Sequence, residues 1–294
     1  MNARLARIVL LAALCLAPAS AWAQSASQLY YERAVMSAAG ARCGLFDSDL
    51  SSALAAAQMQ ARNAALRGGS NLADLNSAQG RAQVAANAAP CQGQDLKLAA
   101  QRVRDAFKAY AGLRTMTFPG DVSNWRAVRN ETVSNSAWRL FQPAVFGPDR
   151  IVVGLGGRQG HDFLAAVATF SDGASPYAAR IVLRDTARAP TAYIGSLTGK
   201  APLSARLPPP TATRAILAEA RGPAETAMLP QGMTEASAFR FPASAVQAMA
   251  QLDPREAISV DFVFAGPNGD VVRRAFIEVG DFAAGVAFLR SGQR

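Results

Sequence analysis

His161 is the only histidine of the chain, and it is the first residue to consider for catalysis. Imidazole transfers protons near neutral pH more readily than any other side chain. Asp162 follows directly and serines are close in sequence, so a hydrolase triad is conceivable. The sequence contains no G-x-S-x-G motif, which positions the serine of many hydrolases. Hydrolysis dependent on His161 is therefore kept as an alternative, and a surface or hydrogen-bonding role is favoured.

Two further patterns resemble ligand-binding motifs incompletely. The glycine-rich run 154–160 follows a predicted strand, but the dinucleotide fingerprint needs a sixth-position glycine where Gln159 stands. A turn between strands is the better interpretation. Asp47 and Asp49 resemble the opening of a calcium loop that lacks its glycine and its final glutamate. Helix capping explains these two aspartates better, so the sequence predicts no metal and no cofactor.

Three remaining candidates are weaker. Lys200 lies near Ser196, which would suit a Ser/Lys pair if that loop were ordered. The segment 130–132 matches the glycosylation acceptor pattern, which matters only in a host with the machinery. Five aromatic residues could line a ligand cleft, although packing is the commoner role of such side chains. They are Trp125, Trp138, Phe141, Phe146 and Tyr177.

The N-terminus has the features of a secretory signal peptide over residues 1–23. Arg4 and Arg7 precede an apolar run at 8–17, which is too short to span a bilayer. Small residues flank Trp22, so cleavage is predicted between Ala23 and Gln24. An uncleaved anchor is the alternative. The sequence therefore predicts a periplasmic or secreted protein without a transmembrane span, and peripheral association with the outer membrane is compatible with this prediction.

Cleavage would remove Cys15 and leave Cys43 and Cys91. Leu14 is too bulky for a lipoprotein signal at Cys15. Exported proteins with two cysteines usually pair them, and closing so long a loop is worth about 4 kcal/mol in the entropic model. A zinc site would need more ligands than these cysteines and His161. A Cys43–Cys91 disulfide is therefore predicted.

The net charge indicates a class of partner. The chain carries +9, of which Arg4 and Arg7 contribute two, leaving +7 after cleavage. A basic exported protein favours anionic surfaces such as lipid head groups. The basic residues are scattered and no aromatic-basic platform is visible, so nucleic acid is not an expected partner. The predicted partners are an envelope protein or an anionic envelope surface, and the oligomeric state is open.

The periodicity of apolar residues divides the mature chain into two regions. Residues 24–115 show helical spacing, and an amphipathic helix is clearest where Leu96, Val103 and Phe107 alternate with basic residues. Earlier helices are predicted at about 27–40, from Ser48 or Asp49 to Gly68, and from Ser70 toward Pro90. These helices are rich in alanine and must pack closely.

Residues 137–294 predict a β-rich region, and 116–136 a linker or irregular segment. A hairpin is predicted around Gly266 to Gly269, because Asn-Gly favours a tight turn. A second hairpin is predicted around 171–176. Short helices fit 243–252 and 282–289. The predicted strands are 137–142, 151–155, 162–170, 177–185, 191–196, 226–229, 237–241, 257–264 and 271–279.

The segment 238–289 runs as a strand, a short helix, a hairpin and a final helix, with Gly280, Phe282 and Leu289 near its end. This tail resembles the invasion-associated locus B family of exported bacterial envelope proteins. Unlike many members, the chain has no cysteine in its β-rich region, and its helical region is additional. The resemblance implies an envelope interaction protein and transfers no active-site residues.

The sequence thus predicts an α+β fold: a disulfide-tied helical region, then a mostly antiparallel β-sandwich-like domain with a short C-terminal helix. The favoured function is a non-enzymatic binding or structural role in the envelope of a Gram-negative bacterium. The alternatives are a hydrolase that depends on His161 and a small-ligand binding protein with a cleft between the two regions.

Overall fold

A computed structural model describes residues 25–110, 112–129, 134–158, 161–195 and 201–291. Helices come first in the chain and two antiparallel sheets follow, which confirms the predicted α+β class. The predicted signal peptide and its cleavage point at Ala23–Gln24 lie outside the described residues. The same holds for Ser196 with Lys200 and for the acceptor pattern at 130–132.

The helical region packs through small side chains. Its helices are α1 (Ala26–Cys43), α2 (Ser48–Arg67), α3 (Leu72–Ala88) and α4 (Gln94–Phe107). α1 packs against both α2 and α3, and α4 makes fewer contacts. Most buried residues are alanines, so the helix axes can approach closely. The buried alanines are Ala34, Ala39, Ala53, Ala56, Ala57, Ala61, Ala65, Ala78, Ala82, Ala86 and Ala100.

Side-chain caps fix where these helices begin. Asp47 Oδ1 accepts a hydrogen bond from the Leu50 amide at 2.8 Å, so the cap of α2 is Asp47. Asn71 caps α3 in the same way through the Asp74 amide at 2.7 Å. Each cap satisfies an amide that has no partner within the helix. Capping explains Asp47, although both starts lie a residue away from the predicted positions.

The remaining elements form two sheets and two short helices. In chain order they are β1 (Thr115–Phe118), β2 (Trp125–Val128), β3 (Ala137–Phe146), β4 (Asp149–Arg158), β5 (His161–Thr169), β6 (Ala178–Arg184), β7 (Thr213–Leu217), β8 (Ala220–Pro223), β9 (Ser237–Phe241), α5 (Ala243–Ala250), β10 (Ala257–Gly266), β11 (Gly269–Glu278) and α6 (Phe282–Arg290). One sheet has the order β1-β2-β3-β4-β5-β9-β8, and the other has β11-β10-β6-β7.

The main core lies between the two sheets. Alternate residues of β4, β5, β6 and β10 point into it, as the two-residue period of a strand requires. Aromatic side chains fill its centre, where the Phe262 ring lies 5.2 Å from that of Phe170 and 5.5 Å from that of Phe239. α6 closes one end through Phe282 and Phe288 and also contacts α2. α6 therefore joins the helical region to the sandwich.

The segment 116–136 was predicted to be a linker or irregular segment. It contains β2 and all of β1 except Thr115, and these two strands pair with each other in the large sheet. Phe118 and Trp125 are fully buried there. Strands of four residues carry too little periodicity to be recognised, and their burial depends on α6, far along the chain. Residues 191–195 form turns where a strand was predicted, and Thr226–Met228 is a 3₁₀ turn. β7 and β8 were missed for the same reason as β1.

The two predicted hairpins had different outcomes. β10 and β11 form a hairpin whose last pair is Gly266 with Gly269, as predicted. β5 and β6 do not pair with each other, because β5 lies between β4 and β9 while β6 lies between β10 and β7. The loop after β5 therefore crosses from one sheet to the other, across a gap of about 10 Å that sandwich packing imposes. Turn residues alone do not distinguish this crossing from a hairpin.

Candidate functional site

His161 begins β5 and is exposed at the tip of the β4–β5 hairpin, opposite Arg158. The neighbouring Asp162 carboxylate is engaged elsewhere, since Arg139 Nη1 donates to Asp162 Oδ1 at 3.1 Å. Burial raises the pKa of the Asp162 carboxyl, and the adjacent Arg139 opposes that rise. The aspartate thus neutralises a buried arginine, and the two neighbouring residues do not form the acid–base pair of a hydrolase.

Residues 154–158 of the glycine-rich run lie within β4, and residues 159 and 160 are outside the described residues. A Cβ at Gly154 would stand 1.9 Å from the Leu140 carbonyl oxygen, and one at Gly156 would stand 2.4 Å from Met228 Cε. Glycine is therefore required here because neighbouring atoms approach the strand closely. The predicted turn thus does not begin at residue 154, since the first part of the run is strand and serves packing.

The five aromatic residues do not share a cleft. Trp125 is fully buried against Phe282, and its indole nitrogen donates to the Val279 carbonyl at 2.9 Å. Trp138 and Phe141 cover the opposite face of the large sheet, where Trp138 Nε1 donates to the Met228 carbonyl at 3.0 Å. Phe146 packs between the sheets, and Tyr177 is half exposed. Packing is thus the role of four of these side chains.

The predicted disulfide joins Cys43 and Cys91, with a Cα–Cα distance of 5.5 Å. Cys43 is the last residue of α1, and Cys91 lies between α3 and α4. The bond therefore fixes two corners of the helical region at one point, as expected from the sequence.

A charged junction, formed by Arg67, Asp121, Arg206, Glu278 and Asp281, lies where α2, β11 and α6 meet. The Glu278 carboxylate is fully buried and accepts hydrogen bonds from the amides of residues 121–123 at 2.6, 2.9 and 2.8 Å. Arg206 Nη1 lies 3.1 Å from Asp121 Oδ2 and 3.6 Å from Glu278 Oε1. The carboxylate thereby holds the β1–β2 loop against the small sheet.

Within the junction, Arg67 of α2 reaches the start of α6. Its Nη1 atom donates to Asp281 Oδ1 at 2.7 Å, and its Nε atom lies 4.0 Å from Asp121 Oδ1. Burial raises the pKa of the Asp281 carboxyl, while Arg67 and Asn63 act in the opposite direction. This pair links residues 214 positions apart, so no local pattern predicts it. The sequence signal for the charged junction was Glu278, an acidic residue inside an apolar stretch.

A second set of buried charges lies on the outward face of the small sheet. Asp261 is fully buried, with Arg274 Nε at 2.6 Å and Arg180 Nη2 at 3.3 Å. Burial alone would raise the pKa of Asp261, but the two arginines outweigh it and hold the pKa below its usual value. Arg184 Nε pairs with Glu256 Oε1 at 2.7 Å. The face of β10 that alternation marks as polar is therefore buried as well, beneath arginines.

The basic residues of α4 behave differently. Lys97 and Arg104 lie on α4 and Lys108 caps its C-terminus; their intervals of seven and four residues place them on one face, and all three are exposed. This set is called the basic face. Within the part of the chain that the structure describes, none of the three forms an ion pair. Arg104 Nη1 donates only to a neutral acceptor, the Leu45 carbonyl oxygen, at 3.1 Å besides its contact with Gln101.

The surroundings of the basic face add to its charge. Residues 94–114 contain five basic and two acidic side chains. Leu98, on the same helix, is 53% exposed, and Leu113 beyond its end is 40% exposed. Leu96 and Ala100 are the buried residues of α4. α4 thus turns a small apolar side toward the other helices and unpaired positive charge, with some apolar surface, outward.

A groove of about 790 Å³ opens beside β11. β3 and β11 are clasped at one point, where Gln142 Nε2 donates to the Glu278 carbonyl at 3.2 Å and Gln142 Oε1 accepts from its amide at 2.9 Å. This groove, called the β11 groove, is lined by apolar residues that include Val145, Phe146, Leu203 and Phe276 and by the charged residues Asp149, Asp172, Arg273 and Arg274.

No family model, no curated protein and no solved structure matches the chain. Among the described residues, no group of histidine, cysteine, aspartate and glutamate side chains has a geometry that could hold a metal ion. No helix in the described ranges is both long and apolar enough to cross a membrane.

Proposed function

We propose that the protein is exported and acts without catalysis, binding an anionic surface of the cell envelope through the basic face of α4. The single observation that carries this proposal is the set of three exposed, unpaired cations on one helix face. Most arginines of the β-rich region have a carboxylate partner within 4.0 Å, whereas the three clustered cations of the basic face have none among the described residues.

The basic face alone gives weak, reversible binding. Each lysine or arginine close to an anionic lipid surface contributes about 1 kcal/mol, so the basic face contributes about 3 kcal/mol. Leu98 and Leu113 each add between a few tenths of a kcal/mol and about 1 kcal/mol when they enter the head-group layer. Because the attraction is electrostatic, salt should weaken it.

Three features support location in the envelope. The Cys43–Cys91 disulfide is typical of proteins from oxidising compartments. Residues 1–23 have the pattern of a signal peptide, and the tail resembles the invasion-associated locus B family, whose members are exported envelope proteins. Together they favour the periplasm of a Gram-negative bacterium, with the protein held peripherally at a membrane.

The position of Asp162 favours binding over the hydrolase alternative. Its carboxylate is held by Arg139, away from a role in orienting His161. The dispersal of the tryptophans likewise argues against the small-ligand alternative with an aromatic cleft, since Trp125 and Trp138 lie on opposite faces of the large sheet.

Vesicle co-sedimentation of the mature chain tests this proposal. We expect binding to vesicles containing phosphatidylglycerol and little binding to pure phosphatidylcholine. The double variant Lys97→Glu/Lys108→Glu should lose at least tenfold in affinity for the anionic vesicles, because two attractions become repulsions.

The matched control is Arg158→Glu/Arg214→Glu, which makes the same change in net charge at two exposed positions of the β-rich region. It should retain most of the binding. Equal loss in both double variants would mean that only net charge matters, and retention in the α4 variant would refute the proposal.

A further inference from the structure

β11 is an edge strand whose first half is exposed. It closes one side of the small sheet, and among the described strands it pairs with β10 alone. Val271 is 51% exposed and Val272 is 43% exposed, although they are consecutive and point to opposite faces. Edge strands are usually blocked from pairing with another chain by charged side chains, proline or a bulge. The segment Asp270–Arg274 has no proline and its register with β10 is unbroken, so its three charged side chains are what a pairing strand must accommodate.

Two contacts show which backbone groups of β11 face outward. The Val279 amide donates to the Glu256 carbonyl, so it faces the side of the sheet on which β10 lies. The Glu278 amide and carbonyl bond to the Gln142 side chain, so they face away from β10. Outward-facing residues alternate along an antiparallel edge strand. The amides and carbonyls of Asp270, Val272 and Arg274 therefore point away from β10.

We propose that this edge pairs with β11 of a second copy of the chain, antiparallel about a two-fold axis at Val272. In this register Val272 lies opposite its own counterpart, and Asp270 lies opposite Arg274, which places opposite charges together at both ends. Centring the pair on Arg273 or Arg274 would place an arginine opposite itself. Charge complementarity thus selects one register, and the eight strands form one continuous sheet.

The side chain of Arg274 can bind Asp270 of the second copy while it keeps its contact with Asp261. Asp261 engages its Nε atom at 2.6 Å and its Nη2 atom at 2.8 Å. Its side chain remains 46% exposed. The other terminal nitrogen of the guanidinium is therefore geometrically available to a carboxylate that approaches from the edge.

The β11 groove receives the turn of the partner hairpin. In the proposed register, Asn268 of the second copy lies opposite Phe276, at the floor of the groove. The walls combine apolar and charged side chains, and the groove volume of about 790 Å³ exceeds that of a two-residue turn. A free peptide could also add to this edge, but the two-fold charge pattern favours an identical strand.

The mass of the mature protein in solution, measured by light scattering across a concentration series, tests the proposal. We expect a dimer that dissociates on dilution. Val272→Pro should yield a monomer, because proline removes an outward amide that β10 does not use. The control is Leu217→Pro on the opposite edge, where Leu217 is 66% exposed and the neighbouring Ala218 amide is the one bonded to β6. It should remain dimeric.

A second variant keeps the test decisive if the proline impairs folding. Val272→Cys introduces the only free thiol of the mature chain, and facing Cα atoms about 5.5 Å apart permit a disulfide. Oxidation should give a covalent dimer, whereas Leu217→Cys should not. A monomeric wild type, or a dimer indifferent to both Val272 variants, would overturn the proposal. Neither result bears on vesicle binding, so this proposal stands apart from the proposed function.

Discussion

The helical region and the β-rich region use charge in opposite ways. In the β-rich region, most arginines are paired with carboxylates, and some of these carboxylates, such as Asp261 and Glu278, are fully buried. On α4, the lysines and Arg104 remain exposed without a carboxylate partner among the described residues. Buried pairs hold strands, loops and α6 in place, while unpaired exposed charge is available to a partner. The difference locates the candidate binding face in the helical region.

The two regions also differ in how they are held together. The β-rich region has a core of large aromatic and aliphatic side chains. The helical region buries mostly alanine, each of which contributes little apolar area, and it has a disulfide in addition. Small buried areas favour covalent reinforcement. The predictions below test this contrast.

The largest expected effect is at the charged junction. Glu278→Ala leaves three amides and Arg206 without their buried carboxylate, so it should lower the free energy of unfolding by about 3–5 kcal/mol. In the helical region, Gln79→Ala removes the acceptor of Tyr30 and Gln58 and should cost about 1 kcal/mol. Urea denaturation measures both. Equal costs would contradict the contrast between the regions.

Removing the disulfide should have the next largest effect. Cys43→Ser/Cys91→Ser should destabilise the helical region by about 2–4 kcal/mol. In a chain that starts at Gln24, the two tryptophans Trp125 and Trp138 lie on strands of the large sheet, so their fluorescence reports on the β-rich region alone. The far-ultraviolet circular dichroism transition should therefore move to lower urea than the fluorescence transition. Coincident shifts would show that the two regions unfold as one unit.

The smallest predicted effect is a change in pH dependence. Arg274 and Arg180 hold the pKa of Asp261 below its usual value of about 3.9 despite burial. Its contribution to stability is thus present above about pH 4 and is lost as the pH falls through the folded-state pKa. Asp261→Asn should therefore lose less stability than wild type between pH 6 and pH 3 in urea titrations. An unchanged loss would show that other carboxylates dominate.

Local signals explain which parts of the fold could be predicted. Helix caps, apolar periodicity and the turn at Gly266–Gly269 involve neighbouring residues, and each led to the correct element. The β5–β6 connection was predicted as a hairpin because its turn residues do not reveal a crossing between sheets. β1 and β2 were predicted as linker because their burial depends on α6, about 160 residues later.

The candidate site shows the same division. The basic spacing of Lys97, Arg104 and Lys108 is visible in the sequence, since one helix carries it. Their lack of ion pairs is not visible in the sequence, because the two members of an ion pair can lie far apart along the chain, as Arg67 and Asp281 do. The junction therefore had to be seen in three dimensions, and so did the contrast that makes the basic face stand out.

The most direct measurement of the central claim is site-specific photocrosslinking in cells that export the chain. A photoreactive residue at position 97 lies on the basic face, and one at position 214 lies on the exposed edge of the small sheet. We predict crosslinks to envelope phospholipid from position 97 and few from position 214. Equal labelling at both positions, or labelling at 214 alone, would contradict binding through α4.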